Sequence, residues 1–291
     1  MESTTTFDPV AYKQMQRTDW RAAATGWRAW HHVLEAETAG QVISHKLVEL
    51  AALGPGDTVL DIGTGYGEPA LPAARAVGSQ GRVVATDIAA EMLAFGRERA
   101  IQAGLDNIEF VASDADELRF DPDTFDAVLS RQGLQYLPDV PGTLRRLHAF
   151  LKREGRLAMA VWGPPDTVQF ARSLAVIVHQ LKLPPPPPGR PGPFALADAS
   201  ALAGVVAEAG FRDVETGMVT VLYEAASPED FTQWTRDVAP PIANLVNTQP
   251  PEVQEHIWRA VTEAWDPLTT DDGRVRTENT AIWVAATKEA N

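Results

Sequence analysis

The chain has 291 residues, enough to bury a full core as one large domain or two small ones. Its 25 basic and 39 acidic residues give a formal net charge of −14, which would repel a polyanionic backbone, so DNA and RNA are excluded as partners. There is no cysteine, which removes disulfides and thiolate chemistry, and no apolar run approaches the roughly 20 residues that cross a membrane.

The opening Met1-Glu2-Ser3-Thr4-Thr5-Thr6 lacks the basic and apolar regions of a signal peptide, so a cytoplasmic location is expected. Residues 7–53 read as a largely helical arm. Trp20, Trp27 and Trp30 fall seven and three apart, one stripe of a helix, suited either to core packing or to closure over a bound ligand. His31, His32 and Glu35 follow, with His32 and Glu35 three apart on one face. They fit a solvated or packing face, a substrate contact with His32 as base, or a metal site. No further spaced ligand supports the metal, and none is expected. Gly54-Pro55-Gly56 ends the arm.

The next stretch is the most informative: Val59-Leu60-Asp61-Ile62-Gly63-Thr64-Gly65-Tyr66-Gly67-Glu68. An apolar strand runs into an acid, alternating glycines and the start of a helix. The glycines permit a sharp turn and close approach of a ligand to the main chain. The helix start offers free N–H groups and a positive dipole end. The dinucleotide fingerprint G-x-G-x-x-G needs its third glycine one position later, where Glu68 stands. An acid there repels a pyrophosphate but tolerates a ligand carrying an amino group and a sulfonium. The turn therefore points away from NAD and toward S-adenosylmethionine (SAM).

Beyond the turn, strands and helices alternate in the order of a doubly wound sheet. A strand at 81–87 ends in Asp87, about 20 residues past the turn, where such folds place an acid on the ribose hydroxyls. A helix at 89–103 comes next. A third strand at 108–112 leads into Ser113-Asp114-Ala115, and Asp114 can accept from an exocyclic adenine amine. The fourth strand, 125–130, runs into Arg131-Gln132-Gly133-Leu134-Gln135-Tyr136. A basic helix is read at 145–153, and the fifth strand spans 155–163. These strands are short and apolar, as central parallel strands are, with polar residues at their C-terminal ends.

A helix at 167–183 carries His179, a packing histidine or a base, and stops at the prolines 184–188, a stiff polyproline II run. A helix at 198–210 and a strand at 214–223 return to the sheet. Residues 228–266 are helical, broken at Pro240-Pro241 and Pro250-Pro251, and a final strand spans 280–287.

With residues 59–71, 83–87, 113–115, 125–139 and 151–163 in this order, the chain resembles the class I SAM-dependent methyltransferases. It is closest in pattern to the group around the menaquinone and ubiquinone biosynthesis enzymes. The resemblance covers roughly residues 45–163 and continues more loosely to the C-terminus. It implies an α/β, Rossmann-like seven-stranded sheet with its last strand antiparallel and helical lid and cap insertions. It implies SAM as cofactor, released as S-adenosylhomocysteine. By the same likeness Gly63, Gly65 and Gly67 would meet the methionine part, Asp87 the ribose, and Asp114 and Ala115 the adenine, while Arg131 and Gln132 would border the methyl group. Asp61, Thr64, Ile88 and Met92 are further cofactor-binding candidates. Gln135 and Tyr136 replace a more apolar segment of relatives and, with Trp30, are candidate substrate contacts; Tyr136 joins His32 and His179 as a candidate catalytic residue.

The expected organisation is a lid or arm at 1–53, the SAM-binding core at 54–163, a cap insertion at 164–197, a core return at 198–225, a helical cap at 226–272 and the final core strand at 273–291. The expected activity is methyl transfer to an oxygen, carbon or nitrogen of a fairly apolar small molecule, as in specialised metabolism. The expected assembly is a monomer or homodimer that does not insert into a membrane. The alternatives are a catalytically silent SAM-binding regulator or partner subunit, or an NAD-dependent oxidoreductase.

Overall fold

A computed structural model describes residues 7–184 and 189–289. Asp8 starts the first helix, α1 (Pro9–Ala29), by accepting the Val10 and Ala11 N–H groups on its carboxylate. A one-turn helix, α2 (His31–Leu34), and α3 (Gly40–Leu50) complete the arm. The chain then alternates: β1 (Thr58–Ile62), α4 (Ala70–Val77), β2 (Arg82–Asp87), α5 (Ala90–Gln102), β3 (Ile108–Ala112), β4 (Phe125–Arg131), α6 (Val140–Phe150) and β5 (Leu151–Trp162). After α7 (Arg172–Gln180) and α8 (Ala199–Glu208), a hairpin-like pair of long strands, β6 (Arg212–Ala225) and β7 (Val275–Thr287), encloses the helices α9 (Pro228–Val238), α10 (Pro240–Asn247) and α11 (Pro251–Glu263).

The seven strands form one sheet in the order β3-β2-β1-β4-β5-β7-β6. The first five run parallel, and β7 is antiparallel to both β5 and β6. Helices pack against both faces, and Val59, Leu60, Val83, Val84, Val128 and Leu129 are buried on one side or the other. That explains the unbroken apolar runs of the central strands. The strand order reverses between β1 and β4, and the loops after β1, β2 and β4 open there into a crevice.

Some boundaries differ from the sequence reading for identifiable reasons. The basic helix ends at Phe150 rather than 153, because Leu151 pairs with Phe125 and begins β5. The helix expected from 167 starts at Arg172. Before it, Val168 bridges to Asn279 of β7 and the Phe170 N–H donates to the Asn279 side-chain carbonyl at 3.0 Å, which holds residues 165–171 in short turns. The last strand begins at Val275, five residues early, since β6 pairs with it as far as Ala225. The prolines do break the cap helices, with Pro240 and Pro251 opening α10 and α11. The polyproline reading falls, apart from Pro184, outside the described residues.

The arm lies across the strand ends and against the cap. Gly26 allows the closest approach, because a Cβ there would collide with the Asp237 carbonyl. The Trp27 indole donates to the Val238 carbonyl at 2.9 Å and the Trp30 indole to Asp237 at 2.9 Å. Arm and cap thus roof the crevice together.

Candidate active site

Under that roof lies a cavity of about 320 Å³. One end is formed by the loops after β1, β2, β3 and β4. Gly63 there has φ +70°, and a Cβ would press to 3.1 Å on Gly133. Gly67 has φ +98°, and a Cβ would run into Leu71. Both are backbone positions only glycine fills without strain.

Asp61 closes β1 and is fully buried, and neither carboxylate oxygen has a hydrogen-bond partner of normal geometry. The nearest donors, the Thr64 hydroxyl and the Ala70 N–H, hold it weakly, and burial pushes the carboxyl up to about 7. A buried acid with free lone pairs beside a glycine cradle suits an ammonium group. Asp87 is more fully engaged. Its Oδ2 accepts the Gly65 N–H at 2.8 Å and its Oδ1 the Ala89 N–H at 2.9 Å. Burial pushes its carboxyl above the usual range, and the backbone donors pull the other way. The acid expected at the ribose therefore also pins the glycine turn. Each of its oxygens accepts one bond, and Asp87 lines the cavity with Ile88, Met92, Asp114 and Ala115. These residues fit an adenosine bearing an amino-acid tail.

The arm contributes charge at both ends of this half. Lys13 of α1 sits 3.2 Å from Asp114 and also pairs with Asp116. At the other end Glu35, just past α2, meets Arg131 at the end of β4 in a two-pronged contact of 2.7 and 3.1 Å. Tyr66 donates its hydroxyl to Glu35, Gln41 donates at 2.9 Å, and Arg131 also donates to the Gly40 carbonyl at 2.9 Å. Gln41 and Arg99 both donate to Glu68 at 3.0 Å. The Glu35 and Arg131 side chains are 5% and 9% exposed, so the pair is buried. Burial alone would lower the Arg131 pKa, but the Glu35 carboxylate holds it well above its usual value. Glu35 thus has both carboxylate oxygens engaged by donors from Arg131, Tyr66 and Gln41.

The other end of the cavity is apolar and aromatic: Trp162, Phe170, Tyr223 and Trp234 form one cluster with ring centroids 4.9–6.3 Å apart. Leu174, Val238, Pro240 and Ile242 complete the wall. Ser173 and Thr235 pair their hydroxyls at 3.0 Å in the same wall.

Of the residues singled out from sequence, Gly63, Thr64, Gly65, Asp87, Ile88, Met92, Asp114, Ala115, Arg131, Gln132 and Tyr136 line this cavity. Asp61 and Gly67 stand directly behind the turn. Tyr136 is half-buried against Trp20, centroids 5.4 Å apart, and desolvation raises its phenol well above the usual range. Gln135 is 1% exposed and turned away from the cavity, its amide bonded to Gln132 at 2.7 Å. Trp30 packs on His32, outside the lining, while Trp20 and Trp27 face in. His32 lies outside the cavity, and His179 borders a separate shallow depression between α7 and α11. Sequence reasoning missed Lys13, Tyr66, Trp162, Phe170, Tyr223 and Trp234. The period-two alternation of β6 gave the only available sign for Tyr223. Among the described residues no His, Asp and Glu cluster could hold a metal, and no helix is long and apolar enough to cross a membrane.

A glycine turn after β1, acids after β2 and β3, and a seven-stranded sheet with an antiparallel seventh strand define the class I SAM-dependent methyltransferases. The chain belongs to that family, in its UbiE-like group. Residues 53–175 match the family described as a methyltransferase domain. The ubiquinone/menaquinone biosynthesis C-methyltransferase UbiE of Cellvibrio japonicus is 30% identical over 208 residues, 62% of this chain and 79% of that protein. The aklanonic acid methyltransferase DauC of a Streptomyces species is 39% identical over 116 residues, 40% of this chain and about half (53%) of that protein. The fold is also that of Haemonchus contortus phosphoethanolamine N-methyltransferase 2, solved with SAM, at a TM-score of 0.59 and 19% identity over 96% of this chain and 60% of that one. SAM is accordingly the cofactor.

Proposed function

We propose that the protein transfers the methyl group of SAM to a carbon or oxygen atom of a flat, hydroxylated aromatic small molecule. The observation that carries this is the wall of Trp162, Phe170, Tyr223 and Trp234, to which the cap helices add no charged side chain. Flat apolar rings stack on such a wall, and among the described residues the cations lining the cavity, Arg131 and Lys13, are already paired with Glu35 and with Asp114 and Asp116. By their names UbiE is a C-methyltransferase of ubiquinone/menaquinone biosynthesis and DauC an aklanonic acid methyltransferase, which supports the same class.

Bound SAM supplies an electrophilic methyl on sulfur. The chain's own part is to bind and orient. Asp61 takes the ammonium, Asp87 the ribose and Asp114 the adenine, while the glycine turn keeps the main chain close. The Arg131–Glu35 pair separates the charged half from the aromatic half and leaves no net charge at the transfer point. The arm excludes water, and positioning in a dry site accounts for most of the rate. Incubation with SAM and 1,4-dihydroxynaphthalene under reducing conditions should release S-adenosylhomocysteine, whereas dimethylglycine should not. Turnover of the amine alone overturns the reading, and binding of SAM without turnover of any acceptor favours a silent SAM-binding role.

A further inference from the structure

Tyr223 lies on β6, the edge strand, and alternation turns it to the same side as the buried Val221 and Ala225. Met218 and Leu222, of opposite parity, are exposed. The ring is only 6% exposed and stands 5.7 Å from Trp234 and 6.2 Å from Phe170. Its place is fixed by Asn279 of β7, whose amide donates to the Val221 carbonyl at 3.1 Å and accepts the Phe170 N–H. One side chain thus sets two walls of the aromatic end.

The Tyr223 hydroxyl has no hydrogen-bond partner among the described residues, and it is not sealed into packing as the Tyr12 hydroxyl is. Burial raises its phenol well above the usual range, with Arg131 opposing and Glu35 adding, so the group stays protonated. Arg131 lines the same cavity as Tyr223, and its charge is felt at both Asp61 and Tyr223. A donor left open in a low-dielectric wall is costly until an occupant supplies an acceptor.

We propose that the Tyr223 hydroxyl is the donor that recognises an oxygen of the acceptor molecule and so sets its orientation between the aromatic wall and the Arg131–Glu35 pair. The inference rests on the aromatic-acceptor reading and names the residue that selects an oxygenated ring over a plain one. A hydrocarbon in the same place would leave the hydroxyl unpaired, whereas a phenol or ketone satisfies it.

Calorimetry on the full chain with S-adenosylhomocysteine present tests this, with 1-naphthol and naphthalene as probes. Wild-type protein should bind 1-naphthol about tenfold more tightly than naphthalene, the worth of one hydrogen bond in a dry site. Tyr223→Phe keeps the ring in the wall, so it should bind both probes alike with unchanged S-adenosylhomocysteine affinity. A Phe variant that keeps the full preference overturns the role of Tyr223 and leaves the aromatic-acceptor reading standing. Wild-type protein that binds S-adenosylhomocysteine but neither probe overturns both. Binding of 1-methoxynaphthalene by wild-type protein checks the direction without any variant. That ether only accepts, so it should retain most of the preference if Tyr223 donates, and its loss would count against the proposal.

Discussion

The cofactor end of the cavity comes from the loops after four neighbouring strands, between residues 61 and 136, and is dense in acids, glycines and backbone donors. The acceptor end comes from β5, α7, β6, α9 and the start of α10, and from the residues before α7 (162 to 242), and is dense in rings. The first end includes groups already held by fixed partners, as Asp87 shows by accepting from Gly65 and Ala89. The second offers surface and one open hydroxyl. A single donor molecule justifies the first construction, while a wall of rings can be re-cut for a new acceptor without disturbing the turn. The arm touches both ends, through Lys13 at Asp114 and Trp27 at the Val238 carbonyl.

The largest effect should therefore come from separating the arm from the sheet. Deletion of residues 1–30 removes Lys13, Trp20 and Trp27 but leaves the sheet, so SAM binding by calorimetry should persist, weakened, while methyl transfer is lost because water enters the site. Full turnover by the truncated chain would show that the arm is no lid. A chain that cannot fold would make its tryptophans core.

Next in size is the boundary between the ends. Arg131→Met leaves Glu35 buried without its cation and should cost about 3–5 kcal/mol in urea denaturation. Pairing it with Glu35→Gln should recover part of that loss. A single variant as stable as wild type would mean that the pair is solvated in solution.

At the cofactor end alone, Asp87→Ala should weaken SAM binding by about 1.5–3 kcal/mol, roughly 10- to 150-fold, since it removes the proposed ribose acceptor and frees the Gly65 turn. Acceptor binding should change little. Equal losses for both ligands would erase the distinction between the ends.

A gentler probe of the same end is pH. Asp61 is raised to about 7 because it is buried, so in the cofactor-free protein it is largely neutral below that pH. In the proposed ammonium role only the ionised form would bind, so affinity should rise with pH through about 7, approaching tenfold per unit on the acid side. Asp61→Asn should flatten the profile. A wild-type profile already flat between pH 6 and 8 would remove Asp61 from the ammonium site.

The contrast also explains what could be read from sequence. Gly63, Gly65, Asp87 and Asp114 sit at fixed offsets from strands whose apolar runs are unmistakable, so the sheet and the cofactor end were legible. Tyr223, Phe170 and Trp234 meet only because β7 places Asn279 against both Val221 and Phe170, a contact spanning 109 residues in sequence for the second of these. No local spacing encodes it. His32 and His179 drew attention as titratable types, yet residue type carries no information about direction, and both stand away from the cavity. The salt bridge from Lys13 to Asp114 had no local sign either, because a lysine on an exposed helix is ordinary.

The smallest effect tests how the arm is fastened. Arg21 pairs with Glu91 at 2.7 Å and Arg28 with Glu98 at 2.6 Å, both between α1 and α5 and all four side chains 41–66% exposed. Solvated pairs of this kind are worth about 0.2–1 kcal/mol each, and salt screens them. Arg21→Ala or Arg28→Ala should therefore speed hydrogen exchange in α1 by less than about fivefold at low salt, and by almost nothing at about 1 M salt. The indole bonds of Trp27 and Trp30 to the cap are better sheltered and should dominate, so Trp27→Phe should loosen the arm more than either arginine change and at both salt concentrations. If instead salt alone freed the arm of the wild-type protein, the fastening would be electrostatic. Closure would then be governed by α5 at the cofactor end rather than by α9 at the acceptor end.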